Sequence, residues 1–199
     1  MRTLKSQPFV SMVLVAINVI VFIICHFTDD LLYDLGVLDL YSVMVDKEYG
    51  RIIWSTFLHS GMNHLFNNML ILFFMGSMIE KEVGHLGYGL LYFLSGIGGN
   101  LLSLWAKMKN HEIAVSLGAS GAIFGLDGVL LALVLFSGRQ MENVTPLRVG
   151  IMIAYSLYSG FTSKNVDNAA HMGGLITGFA IMGIICIWQR RKRERREGM

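Results

Sequence analysis

The feature that most constrains this chain is a succession of long apolar stretches separated by short polar ones. A helix crossing hydrocarbon needs about 20 mostly apolar residues, because each adds about 1.5 Å of rise and every backbone polar group must be satisfied within the helix. Six segments meet that requirement, at 8–28, 63–81, 86–106, 117–138, 146–162 and 168–188. With 54% of its 199 residues hydrophobic and 15% charged, the chain lacks the polar surface of a water-soluble domain. The pattern predicts an all-α integral membrane protein, a bundle of six transmembrane helices. The sequence holds two prolines and no polar low-complexity tract, so residues 1–199 read as a single membrane domain ending in a basic tail, 189–199. The first stretch is too long for a signal-peptide core and lacks a small-residue cleavage site, so it is expected to stay as a span.

Charge placement sets the expected orientation. An even number of spans puts both termini on one side, and Arg190, Arg191, Lys192, Arg193, Arg195 and Arg196 mark that side as cytoplasmic, with Arg2 and Lys5 agreeing. Lys81, Arg139 and Arg148 join them, against Lys47, Arg51, Lys107, Lys109 and Lys164 outside. A basic run directly after a span is a topology signal and a contact for anionic lipid, so membrane lipids are expected partners and nucleic acid is not. The long outer segment after the first span carries Asp29, Asp30, Asp34, Asp39, Asp46 and Trp54, as expected of a loop lying partly in the interface. Cys25 and Cys186 sit near opposite ends of the first and last segments, which suggests packing roles and no disulfide framework.

Polar groups at membrane depth are costly, so each is a candidate for function. Gly118-Ala119-Ser120-Gly121 places a serine among small residues that permit close backbone approach, although serines in spans also bond to their own helix or join helices. His171 lies about one turn into the last span, entered from the same side. Gly174 and Gly178 form a small-residue stripe there, matched by Gly121 and Gly125, so the two helices can pack closely and bring Ser120 and His171 to similar depth. A hydroxyl and an imidazole sharing a hydrogen bond make a nucleophile with its general base. His59, His64, Asn67 and Asn68 enter the second span, and positions 64 and 68 share a helix face. Donors fixed in this way suit a tetrahedral oxyanion, though they can also bond loop backbone.

These residues resemble the rhomboid intramembrane proteases. The resemblance rests on Gly118-x-Ser120-Gly121, on Ala170-His171-x-x-Gly174 with Gly178, and on His64-x-x-x-Asn68 preceded by His59, in order along nearly the whole chain. It implies a Ser–His dyad with Ser120 as nucleophile and His171 as base. His64, Asn68 and the Ser120 backbone N–H would form the oxyanion hole. Phe124 is similar to the family's aromatic residue one turn below the serine, packed on the histidine, and Arg51 to the arginine that orders the first outer loop. The expected activity is cofactor-free cleavage of transmembrane segments of other membrane proteins near the outer face. The compact form suggests a prokaryotic plasma membrane.

Two departures stand out. Gly50 occupies the place where the family usually has Trp, with Trp54 as the candidate substitute. Asp127 shares a helix face with Ser120 but lies about 10 Å deeper, as expected of a protonated or water-bonded interior acid. Asp167, one turn before His171, is an alternative orienter of the histidine. Rival chemistries fit less well: His111-Glu112 lacks a second histidine for zinc, Asp127 is the only deep aspartate, and no internal repeat suggests a transporter. The alternative reading is a catalytically inactive rhomboid-like protein that binds transmembrane helices.

Overall fold

The computed structural model describes residues 7–28, 31–138, 145–162 and 166–197. Arg2, Lys5, Asp29, Asp30, Arg139 and Lys164, used above for charge placement, lie outside the described residues. The described residues form the helices α1 (Phe9–Phe27), α2 (Leu31–Gly36), α3 (Leu40–Met44), α4 (Arg51–Trp54), α5 (Met62–Val83), α6 (His85–Asn110), α7 (Ser120–Phe136), α8 (Pro146–Thr162) and α9 (Asn168–Glu197), with a 3-10 turn at Ser55–Phe57. No strand occurs among the described residues; Leu38 and Ser116 form an isolated antiparallel bridge, each N–H donating to the other's carbonyl.

Among the described residues three helices, α1, α6 and α9, are long and apolar enough to cross a membrane by length and composition, and α7 is a shorter apolar helix. α7 is the centre of the bundle. Its residues from Gly121 to Leu130 are all buried, the signature of a helix surrounded on every side. α6 and α9 flank it, α5 and α1 pack on one side, and α8 touches α7 and α5 at the periphery.

Glycine permits the tight α7–α9 crossing. A Cβ at Gly174 would run into the Gly121 carbonyl oxygen, and one at Gly178 into that of Gly125, so the two backbones touch where any side chain would separate them. At the far end, the N-terminus of α1 is held by Glu80 of α5, whose carboxylate accepts from the Val10 N–H at 2.8 Å, the Ser11 N–H at 2.8 Å and the Ser11 hydroxyl at 2.6 Å. His85 also bonds this carboxylate. Orphan amides at a helix start seek such an acceptor.

Several boundaries differ from the sequence expectation. The fourth segment becomes helical at Ser120, not at 117, because Gly118 has φ +124°, outside the helical region. α9 runs unbroken to Glu197 and takes in most of the basic tail, helped by an Arg190–Glu194 pair one turn apart at 3.0 Å. The first outer segment folds into short helices.

Candidate functional site

The start of α7 is assembled from the loop before it. The Gly118 N–H donates to the Ser55 carbonyl at 2.8 Å, and the Asn100 amide holds the Ser55 hydroxyl at 3.0 Å and the Ile52 carbonyl at 2.7 Å. Ser120 therefore stands in the first turn of a buried helix, where backbone N–H groups have no intrahelical acceptor and the helix end carries partial positive charge.

His171 is placed by the start of α9. Asp167 precedes the helix and its carboxylate accepts from the Ala170 N–H at 2.9 Å, while the His171 N–H donates to the Asp167 carbonyl at 3.2 Å. Across the α7–α9 contact, His171 Nε2 and Ser120 Oγ lie 2.9 Å apart, within hydrogen-bonding distance. Phe124, one turn further along α7, stacks on the imidazole with centroids 4.1 Å apart and planes within 9°. His171 is 8% exposed, so its ring is largely shielded from solvent.

A third group of side chains approaches the same loop. His64 projects from the first turn of α5 over Gly118; a Cβ there would lie 2.8 Å from His64 Cε1, 2.9 Å from Nε2 and 3.7 Å from Asn68 Nδ2. The absence of a side chain at Gly118 thus opens a space faced by an imidazole and a carboxamide. Asn68 is buried and its Nδ2 has no hydrogen-bond partner, a costly state that leaves a donor aimed at this space. His64 Nδ1 lies 3.2 Å from the Ser60 hydroxyl, which fixes the ring.

His59 is fully buried, its ring 5.0 Å from that of His64. Its backbone carbonyl accepts from the Tyr33 hydroxyl. Neither ring nitrogen has a hydrogen-bond partner in good geometry. Burial, with a smaller contribution from His64, pushes this imidazole down to about 3, so it is neutral. Asn67, also singled out in the sequence, is only partly buried on α5.

Arg51 is nearly buried and ties the first outer segment together. It donates to Glu48 at 2.6 Å and to the Val37 carbonyl at 3.0 Å, and lies 3.6 Å from the Asp39 carboxylate. Asp39 caps α3 through the Ser42 N–H at 2.8 Å. Gly50 precedes α4, and the Trp54 ring covers it: a Cβ at Gly50 would meet Trp54 at 3.5 Å. Trp54 itself is 63% exposed, as are Tyr41 and Tyr49 to similar degrees, giving this segment an aromatic outer face.

The two aspartates differ. Asp127 is buried, with Ser156 of α8 beside it but outside direct hydrogen-bond geometry, and neither carboxylate oxygen has a hydrogen-bond partner. Asp167 does not bond the His171 ring. Its carboxylate accepts from the hydroxyls of Ser103 and Ser116 and lies 3.5 Å from Lys107, which also donates to Ser116. Burial alone would raise this carboxyl; the hydroxyls, the Ala170 N–H and the Lys107 ammonium outweigh it and hold the group below its usual range. It orders the helix start. The sequence signals for Ser103, Ser116 and Lys107 were absent, since the partners lie 51 and 64 residues from Asp167.

Among the described residues no group of three His, Cys, Asp or Glu side chains is arranged to hold a metal ion. The fold and site define a helical membrane protein with a serine and a histidine joined between two closely packed helices. The chain belongs to the rhomboid family: residues 46–188 match the Rhomboid domain. It is 38% identical over 158 residues to RHOMBOID-like protein 4 of Arabidopsis thaliana, covering 78% of this chain and 39% of that protein. It is 32% identical over 164 residues to the putative rhomboid protease YdcA of Bacillus subtilis, covering 82% of this chain and 75% of that protein, and 34% identical over 138 residues to the rhomboid protease GluP of the same organism, covering 69% and 26%. The chain spans about two fifths of the length of RHOMBOID-like protein 4.

Proposed function

We propose that the chain is an intramembrane serine endopeptidase that cleaves transmembrane segments of other membrane proteins near the outer face of the bilayer. The observation that carries this reading is the 2.9 Å approach of His171 Nε2 to Ser120 Oγ across the α7–α9 contact. Ser120 is the nucleophile and His171 the general base. His64, the unpartnered Asn68 amide and the Ser120 N–H form the oxyanion hole over Gly118, where donors at fixed positions stabilise charge that develops only during reaction.

Ser120 Oγ attacks the scissile carbonyl as His171 Nε2 takes its proton, forming a tetrahedral oxyanion. Collapse of that intermediate breaks the C–N bond, and His171 returns the proton to the leaving amine. Water, deprotonated by the same imidazole, then hydrolyses the acyl-enzyme. No cofactor enters. Helical carbonyls are bonded and shielded, so the substrate helix must unwind near its outer end, and good substrates carry helix-weakening residues there.

The bundle is proposed to hold six spans, with both termini cytoplasmic and 1–199 acting as one domain. Lipid surrounds it, and the aromatic face of the first outer segment rests in the interface. The relatives named above come from a plant and a bacterium, and two further plant relatives carry mitochondrial or chloroplastic names, so they lend no support to a prokaryotic plasma membrane in particular. The test is cleavage of a transmembrane substrate in reconstituted vesicles: Ser120→Ala should abolish it, and full retention would sink the assignment.

A further inference from the structure

At the end of the bundle remote from Ser120, a cavity of about 320 Å³ opens between α6, α7 and α9. Leu90 and Leu94 of α6, Leu133 of α7, and Ile181 and Ile185 of α9 form its walls. Ile185 is fourteen residues beyond His171 on α9, about 20 Å along the helix, so this space is separate from the site described above. Its size falls at the lower end of small-ligand pockets, which begin at about 300 Å³.

Three polar residues also line the cavity: Glu82 of α5, Ser137 and Gln189. Arg193, one turn beyond Gln189, donates from Nη2 to the carbonyl of the lining residue Ser137 at 2.7 Å, which holds the guanidinium next to the cavity. It is only partly exposed, whereas the other basic residues of the helical tail are exposed. Arg190 is paired with Glu194; Arg193 has no carboxylate partner among the described residues. A held guanidinium beside an apolar cavity, without a carboxylate partner among the described residues, is matched by a molecule with a phosphate at one end and a hydrocarbon chain at the other.

We propose that this cavity is a phospholipid site: one acyl chain of an anionic phospholipid lies between α6, α7 and α9, and its phosphodiester is bound by Arg193. The exposed tail arginines attract anionic lipid generally; Arg193 and the cavity select one molecule and hold it. Glu82 in the lining disfavours a headgroup carrying further negative charge beside it.

The test uses the full-length protein in detergent, titrated with short-chain phosphatidylglycerol and followed by thermal stability and native mass spectrometry. A saturable shift with one lipid bound is expected. Arg193→Gln should weaken that binding about fivefold, the effect of roughly 1 kcal/mol for one basic residue at a membrane surface. The charge-matched control Arg195→Gln should leave it nearly unchanged. Filling the cavity with Leu94→Trp, or with the milder Ile185→Phe should the first variant fold poorly, should remove the bound lipid. Equal weakening by Arg193→Gln and Arg195→Gln would reduce the effect to general charge attraction and overturn the site. So would an equal shift from glycerol phosphate, which has no acyl chain, or unchanged lipid binding in the filled variant.

Discussion

Phe124 lies flat on His171, at 4.1 Å between centroids, and both rings belong to helices whose backbones touch at glycine. The imidazole is thus held in position from one face by an aromatic ring and from one edge by Ser120. Under the proposed mechanism, Phe124→Ala leaves the serine and histidine in place but frees the ring to rotate. Cleavage rate should fall on the order of tenfold to a hundredfold, chiefly in kcat, the cost of small misplacement of a reacting group. Phe124→Tyr should keep most activity. Kinetics on a reconstituted substrate check both.

Asn68 presents a buried, unpartnered donor. If it binds the oxyanion, Asn68→Ala should reduce kcat about a hundredfold or more with KM little changed. Because the wild-type amide is unsatisfied in the resting state, its removal should leave thermal stability unchanged or slightly higher. A stability loss with normal kcat would assign Asn68 a structural role.

Gly174 and Gly178 leave no room for a methyl group against the carbonyls of Gly121 and Gly125. Gly178→Ala should force α7 and α9 apart, lowering stability by about 1–3 kcal/mol or more. Gly150→Ala in α8, where a Cβ meets nothing within 4 Å, should be neutral or slightly stabilising. Thermal unfolding of the two variants side by side reads the difference.

His59 is buried neutral, its imidazole lowered to about 3. The unfolded chain protonates this group near its usual pKa of about 6.5 while the folded chain does not, so below that value unfolding takes up a proton and stability falls as pH drops toward 3. The loss is at most about 1.4 kcal/mol per pH unit from this residue. His59→Gln should flatten that part of the curve, measured as thermal midpoint against pH between 7 and about 4. An unchanged slope would mean that His59 is protonated in the folded protein.

The long helices were legible because apolar length is a local property, readable from α1, α6 and α9 segment by segment. The glycine stripes on α7 and α9 were legible for the same reason: Gly121, Gly125, Gly174 and Gly178 recur at helical spacing. Short elements such as α4, with four residues, were not, since their stability comes from Arg51 reaching Val37, Glu48 and Asp39 and not from their own sequence. The true start of α7 depended on a positive φ at Gly118, which the letters alone do not reveal. Asp167 illustrates the same limit at the site. Its nearness to His171 in sequence offered it as an alternative orienter of the histidine, whereas its carboxylate is bonded by Ser103 of α6 and by Ser116 of the segment between α6 and α7.

The central claim is that Ser120 is activated by His171. The most direct measurement is to treat the detergent-purified protein with a fluorophosphonate serine probe, locate the adduct by mass spectrometry, and repeat with His171→Ala. The account predicts labelling at Ser120 that disappears in the variant. A folded wild-type protein that takes no label, or labelling of Ser120 that persists without His171, would contradict it, and the first result would favour a catalytically inactive rhomboid that binds transmembrane helices.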